Sequence, residues 1–180
     1  MKQLTAEQLW ELFVNREDVY ALQMTTGAYY CQKKAIVLED IREHLNGKKT
    51  IGAYALALDN KVKWACVDLD GTDMVKLKVE ANIMYNSFKG FPRMLEESGR
   101  RGYHVWVFFK PRVTAVYAQS LVKAYLNRIG LNKYEIFPKQ IVLNATRKYG
   151  NLVKLPCGKH QRSGNFSKIL KKEDIKWIPK

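Results

Sequence analysis

Val62-Lys63-Trp64-Ala65-Cys66-Val67-Asp68-Leu69-Asp70-Gly71 is an apolar, β-branched and aromatic run that ends in two carboxylates and a glycine. A run of this kind bounded by turn residues reads as a strand. Successive strand side chains point to opposite faces, so Asp68 and Asp70 share one face and aim into one space. Two such anions repel unless something positive lies between them. A hard divalent ion, Mg2+ or Mn2+, accepts carboxylate oxygens while keeping waters and phosphates as its other ligands. The same letters also fit a plain turn after a strand, with Asp68 at an edge position.

Working outward, Ile51 to Leu58 is a second apolar run, and Asp59-Asn60-Lys61 between the two predicts a β-hairpin. Upstream, Thr5 caps a helix carrying Leu9, Leu12 and Phe13, and Glu39 to Leu45 repeats the spacing before Asn46-Gly47 stops it, so residues 1–48 read as a helical N-terminal part. Downstream, Thr72 starts a helix to about Phe88, Arg93 to Glu96 is a short strand and Tyr103 to Phe109 a long one. Thr114 caps a further helix with Val116, Leu121, Val122, Tyr125 and Leu126 on its apolar face, closed by Gly130. Tyr134 to Phe137, Ile141 to Asn144 and Leu152 to Leu155 then read as short strands. The expectation is one α/β (α+β) domain over residues 1–180, with its core at 49–170 and a tail at 171–180.

With 180 residues, 47% of them hydrophobic and 12% aromatic, the chain has material for a real core and no disorder signature. Cys31, Cys66 and Cys157 make no CxxC pair, Met1 to Glu11 is polar and amphipathic, and Lys or Arg interrupts every apolar run before the roughly 18 residues a bilayer requires. These features point to a soluble, cytoplasmic protein without a membrane partner. Charge is the first functional clue: the net +14 is concentrated in residues 100–180, which hold 18 basic and 3 acidic side chains against 13 and 14 in residues 1–99. That asymmetry favours a polyanionic partner, although a basic solvated surface gives the same count.

Two further segments carry candidate chemistry. Ser98-Gly99-Arg100-Arg101-Gly102-Tyr103-His104 leads straight into Val105-Trp106-Val107-Phe108-Phe109. Its glycines let backbone approach a ligand, and Ser98, Arg100, Arg101 and His104 are donors suited to phosphate oxygens. A surface turn followed by a half-buried histidine is the plainer reading. Alternation sets His104, Trp106 and Phe108 on one face. Glu135, in Tyr134-Glu135-Ile136-Phe137-Pro138-Lys139, is the single carboxylate among 16 Lys and Arg between residues 100 and 172. Burying a lone acid is costly without a base or metal beside it. An exposed Glu paired with a nearby Lys also fits. Downstream, Leu152 to Asn165 is a basic, Gly-punctuated stretch in which Lys154, His160 and Arg162 suit a triphosphate grip or a basic surface loop. Cys157 and His160 have a zinc-like spacing, but no second closely spaced pair accompanies them, so no zinc is expected.

In order, DLD, SGRRGYHVWVFF, YEIFPKQ and LVKLPCGKHQRSGNFS resemble the motifs of the archaeo-eukaryotic primase superfamily, the primase-polymerases. The stretch HLNGKKTIGAY at 44–54 resembles the lead-in of members from mobile-element and defence systems, and the CRISPR-associated and conflict-system branch is the nearest in kind. The resemblance spans about Tyr30 to Leu170. It implies a catalytic core with an N-terminal mixed lobe and an RRM-like sheet lobe facing each other across a cleft. It implies that Asp68, Asp70 and Glu135 are catalytic and hold two Mg2+ or Mn2+ ions. It implies that His104 contacts the phosphates of the incoming nucleotide, with Ser98, Arg100 and Arg101 in the supporting turn and Lys154, His160 and Arg162 near the triphosphate. Many members carry Ser two residues before that histidine, where this chain has Gly102, so the serine contact passes to Ser98 or is absent. The implied activity is a metal-dependent DNA primase and template-directed polymerase using a single-stranded DNA template, a primer strand and dNTP or NTP. Fusion to, or association with, a helicase or CRISPR adaptation proteins belongs to the same analogy, as does base stacking on Tyr149 or Phe166. Two other classes compete: a two-metal nuclease, since the same carboxylates serve hydrolysis, and a non-catalytic RRM-like nucleic-acid binding module.

Overall fold

A computed structural model describes residues 3–173 and 175–179. Residues 1–2 and 180 of the expected domain, and Asp174 in the expected tail, lie outside the described residues. The elements in order are α1 (Ala6–Phe13), β1 (Tyr20–Gln23), β2 (Tyr29–Gln32), α2 (Leu38–Leu45), β3 (Ile51–Tyr54), β4 (Lys61–Asp70), α3 (Met74–Ser87), β5 (Arg93–Glu97), β6 (Gly102–Thr114), α4 (Ala115–Arg128), β7 (Glu135–Phe137), β8 (Leu152–Lys154) and β9 (Lys168–Lys172). Thr5 caps α1 with a reciprocal Gln8 contact, and Thr114 caps α4. Asp73 rather than Thr72 caps α3, its carboxylate accepting from the Lys76 N–H. Among the described residues, no helix is long and apolar enough to cross a membrane.

Two antiparallel sheets form, with strand orders β2-β1-β3-β8 and β7-β4-β6-β5-β9. The succession β4-α3-β5-β6-α4-β7 and the order β7-β4-β6-β5 make the second sheet RRM-like. Its strands separate two cores. Val67, Leu69, Leu95, Val105 and Val107 face α3 and α4, whereas Trp64, Cys66, Met94, Trp106 and Phe108 face α1 and the first sheet. Phe13 stands edge-on to Trp106 at 4.8 Å, and Trp64 crosses Trp106 at 5.0 Å. Period-two alternation thus decides which side of the sheet every candidate residue occupies.

The structure departs from the sequence expectation in four further places. The first 48 residues are not helical throughout: β1 and β2 stand between α1 and α2, joined by a turn with Gly27 at φ +93°. Four-residue strands are too short to display alternation. The runs on either side of Asp59-Asn60-Lys61 do not form a hairpin. The turn is tight, with Ala57 N–H donating to the Lys61 carbonyl at 3.0 Å, but buried Ala55 and Leu56 carry the chain from one sheet to the other. Ile141–Asn144 is not a strand, because Leu143 N–H donates to Asn60 Oδ1 at 2.8 Å and the Asn144 side chain accepts from Arg147 N–H. The expected tail contributes the end of β9, and Ile175 joins the core at 2% exposure.

His44 shows how tightly the first sheet closes on the loop after β8. Ile51 N–H donates to its Nδ1 at 3.0 Å, so Nε2 carries the hydrogen and donates to the Pro156 carbonyl at 3.1 Å. Burial, with Lys154 adding to it, drives this imidazole down to about 3. A Cβ at Gly158 would lie 1.9 Å from His44 Cε1, so only glycine fits over the ring. Two outcomes are expected. Gly158→Ala should lose about 1–3 kcal/mol in urea unfolding. The 15N signals of His44 should report the neutral Nε2–H form at pH 5. Because its folded value is depressed, the contribution of His44 to stability is complete above 6.5 and is lost as pH falls from there toward about 3.

Candidate active site

At one end of the second sheet the face that is apolar at Trp64, Cys66, Trp106 and Met94 becomes polar. The register makes a row across four strands: Glu135 on β7 pairs with Asp68 on β4, Asp68 with His104 on β6, and His104 with Glu96 on β5. Paired residues of neighbouring strands share a face, so these groups project toward the first sheet, beside Asp70 two residues further along β4. Of these, Asp68, Asp70 and His104 line a cleft of about 220 Å3, closed on its other side by Gln23, Tyr29, Leu152, Val153 and Lys154 of the first sheet and by Gly27 in the turn between β1 and β2.

Beneath the cleft lies Glu96, 0% exposed. Its Oε2 accepts from His104 Nδ1 at 2.9 Å and Trp106 Nε1 at 3.0 Å, and Oε1 faces the Lys154 ammonium at 3.5 Å. Burial alone would raise this carboxyl, but Lys154 and His104 outweigh it and hold it at about 2. Lys154 also donates to the Leu155 carbonyl and to Ser167 Oγ, both at 2.9 Å. For His104, burial acts downward, while the charge and hydrogen bond of Glu96, with Asp68 beside it, win and raise the ring above its ordinary value. Its Nε2 lies 3.6 Å from Asp68 Oδ1. Asp68 is pushed up, by burial first and then by Asp70, Glu135 and Glu96, with His104 acting against them.

Asp68 Oδ1 is buried without a hydrogen-bond donor. A buried carboxylate oxygen left bare beside a second carboxylate is what a divalent cation satisfies, and the all-oxygen donor set fits Mg2+ or Mn2+. Asp68 and Asp70 therefore fit a metal. Glu135 stands in register with Asp68 but its carboxylate is 61% exposed and paired with Lys139 Nζ at 2.7 Å. Among the described residues, no three His, Cys, Asp or Glu side chains stand together at ligand distance.

The three sequence motifs meet at this cleft, but not every candidate side chain enters it. Ser98, Arg100, His104 and His160 line it. Arg101 is exposed outside the cleft wall, and its carbonyl accepts the Gly71 N–H at 3.1 Å, holding the end of the acidic strand. Lys154 lines the cleft, but its ammonium is engaged by Glu96, Leu155 and Ser167 and so is directed into the protein instead of toward a phosphate. Arg162 is exposed at the rim beside Gly27. Tyr149 packs on Tyr54 under the Arg16 guanidinium, whereas Phe166 is exposed over Gly47. The turn at 98–102 seats on the basic loop, since Ser163 Oγ donates to the Gly99 carbonyl at 2.7 Å and Gly99 has φ +85°. Gly102 is sterically required: a Cβ there would sit 2.2 Å from the Leu69 carbonyl oxygen and 2.6 Å from Asp70 Oδ1, so a serine does not fit.

Glu96, Gln23 and Tyr29 escaped the sequence reading. Gln23 and Tyr29 lie on the two short strands that carried no pattern. Glu96 did leave a signal, an acid alternating with Leu95 on a short apolar strand, the argument applied to Glu135. Replacing Glu96 with Ala strands the Lys154 ammonium as a buried cation and leaves His104 Nδ1 and Trp106 Nε1 without their acceptor, and urea unfolding should register a loss of about 3–5 kcal/mol. The double variant Glu96→Gln/Lys154→Met should recover part of it. An alanine variant as stable as the parent would contradict this account.

The family model described as "TOTE conflict system, Archaeo-Eukaryotic Primase domain" matches residues 29–179. No curated protein sequence matches the chain. Among solved structures, the archaeo-eukaryotic primase domain of the cyanophage S-2L primase-polymerase superposes with a TM-score of 0.57 at 12% identity, covering 90% of this chain and 85% of that one. The polymerase domain of Mycobacterium tuberculosis ligase D, in complex with DNA, gives a TM-score of 0.45 at 13% identity over 91% of this chain and 72% of that one. The first of these carries the same fold, and the family match spans the elements from β2 to β9 and the three motifs that meet at the cleft. The chain belongs to the archaeo-eukaryotic primase domain family of TOTE conflict systems.

Proposed function

We propose that this chain is a metal-dependent nucleotidyltransferase, a DNA primase and template-directed polymerase acting on single-stranded DNA with dNTP or NTP. The observation that supports it most is the bare Asp68 oxygen beside Asp70, facing a cleft whose other polar walls are Ser98, Arg100, His104 and His160. A cleft acidic at one side and rich in phosphate donors at the other suits a nucleoside triphosphate and its cations. A hydrolase has less use for the second half. When bound, divalent ions would lower the pKa of an attacking 3′-hydroxyl and offset charge on the α-phosphate and leaving pyrophosphate.

The chain's own groups divide the remaining work. Asp68 and Asp70 would hold the ions, and Glu135 would join by exchanging its Lys139 partner. Arg100 at the mouth and His104 at the floor would orient the triphosphate, the imidazole fixed by its Nδ1 contact to Glu96. The basic side chains around the rim, including Lys139 and Arg162, would follow the template backbone, with affinity falling steeply as salt rises.

The test is primer synthesis on a single-stranded DNA template, with and without an annealed primer, in Mg2+ or Mn2+. Asp70→Asn should lower product formation by roughly a hundredfold or more, the equivalent of several kcal/mol of charge stabilisation, while DNA binding persists. Extension without initiation would narrow the activity to a polymerase. Nucleotide release from DNA without any triphosphate would favour a nuclease. DNA binding with neither activity, and no rise in melting temperature on adding Mn2+, would leave a binding module.

A further inference from the structure

Helix α3 is apolar on both sides. Leu77, Ala81, Met84 and Tyr85 are buried against the sheet. At 3.6 residues per turn, Val75 and Val79 fall on the opposite side within roughly 40° of each other, with Ile83 next along the same row. These three are 78%, 56% and 46% exposed. Spaced one turn apart, they form a ridge about 12 Å long. β-branched residues lose side-chain freedom in a helix, and no core contact compensates for them here.

The ridge is flanked by charge of one sign. Lys76 lies on one side and Lys78 on the other, both exposed and neither in an ion pair among the described residues. The acids nearby are engaged: Asp73 caps the helix, and Glu80 is held by Lys133 and Tyr134. Because α3 covers the face of the sheet bearing Leu95 and Val105, the ridge lies on the side away from Asp68 and His104. A partner seated there would leave the cleft open.

We propose that this ridge docks an amphipathic helix of a partner protein whose apolar stripe is flanked by Asp or Glu. Aliphatic side chains in a straight row match the i, i+4 anchors of such a helix, and Lys76 and Lys78 match its acidic flanks. Nucleic acid suits the ridge less well, since Val and Ile offer bases no stacking plane. The proposal stands on α3 alone and is independent of the catalytic reading.

Two synthetic helical peptides of about 18 residues with one apolar stripe, flanked by Glu in the first and by Lys in the second, test it by titration into 15N-labelled protein. The Glu-flanked peptide should saturate, shift amides of α3 and not of the cleft, and bind roughly tenfold more tightly than the Lys-flanked one. Val79→Lys, at an exposed position, should weaken it by about the same factor while leaving other signals in place. Equal binding of both peptides, shifts confined to the cleft, or an oligonucleotide displacing the peptide from α3 would overturn the proposal. So would sedimentation showing a dimer that Val79→Lys abolishes, which would make a second copy of this chain the occupant.

Discussion

A carboxylate sealed from water sits where the two sheets meet, and the working end of the molecule is arranged around it. Glu96 on β5 binds Lys154 from β8 of the other sheet, His104 from β6 and the indole of Trp106, which itself stands in the aromatic core against Phe13 and Trp64. Removing Glu96 or Lys154 leaves a charge in a low-dielectric space without its counterion, and removing His104 or Trp106 leaves a buried carboxylate oxygen short of a donor, so the group behaves as a unit. It ties the sheets together at the cleft and fixes the edge of His104 that looks outward. Lys154, whose sequence context suggested a grip on phosphate, does its work one layer down.

The position of the site follows from topology and alternation together. Along β4, β5 and β6 the face turned to the first sheet is apolar at Trp64, Cys66, Met94, Trp106 and Phe108 and turns polar at the ends of β4 and β5 and the start of the antiparallel β6. The first sheet closes over the apolar part and stands off from the polar part, which leaves a cleft between. Close approaches hold that geometry: Gly102 lets the donor turn lie against the acidic strand, and Gly158 lets the loop after β8 press on His44. The basic excess in residues 100–180 is spread around this arrangement. Part of it rims the cleft, part is engaged by buried or half-buried acids, and part lies on the outer helices.

The sequence determined much of this. Two carboxylates on one strand face, a glycine-rich donor turn running into a long strand, and an isolated acid were legible because alternation and turn chemistry are local. So were α1, α2, α3 and α4, whose caps and apolar spacing lie within a dozen or so residues of each other. The family resemblance rested on the order of those motifs, which the chain carries whatever its fold.

Tertiary structure alone decided the rest. Four-residue strands hold too few side chains to show a period, so β1 and β2, with Gln23 and Tyr29, became visible only as a ladder, β2 on β1 and β1 on β3. The turn at Asp59-Asn60-Lys61 has hairpin chemistry, yet its flanks belong to different sheets, because sheet membership depends on partners distant in sequence: β8 for one flank and β6 and β7 for the other. Ile141–Asn144 has strand composition, but a side-chain acceptor on Asn60, 83 residues away from Leu143, takes the hydrogen bond a ladder would use. Glu96, His104 and Lys154 are each ordinary letters in their own segments. Their meaning comes from burial, which prices every charge by its neighbours, and neighbours across a sheet are set by register and not by position along the chain.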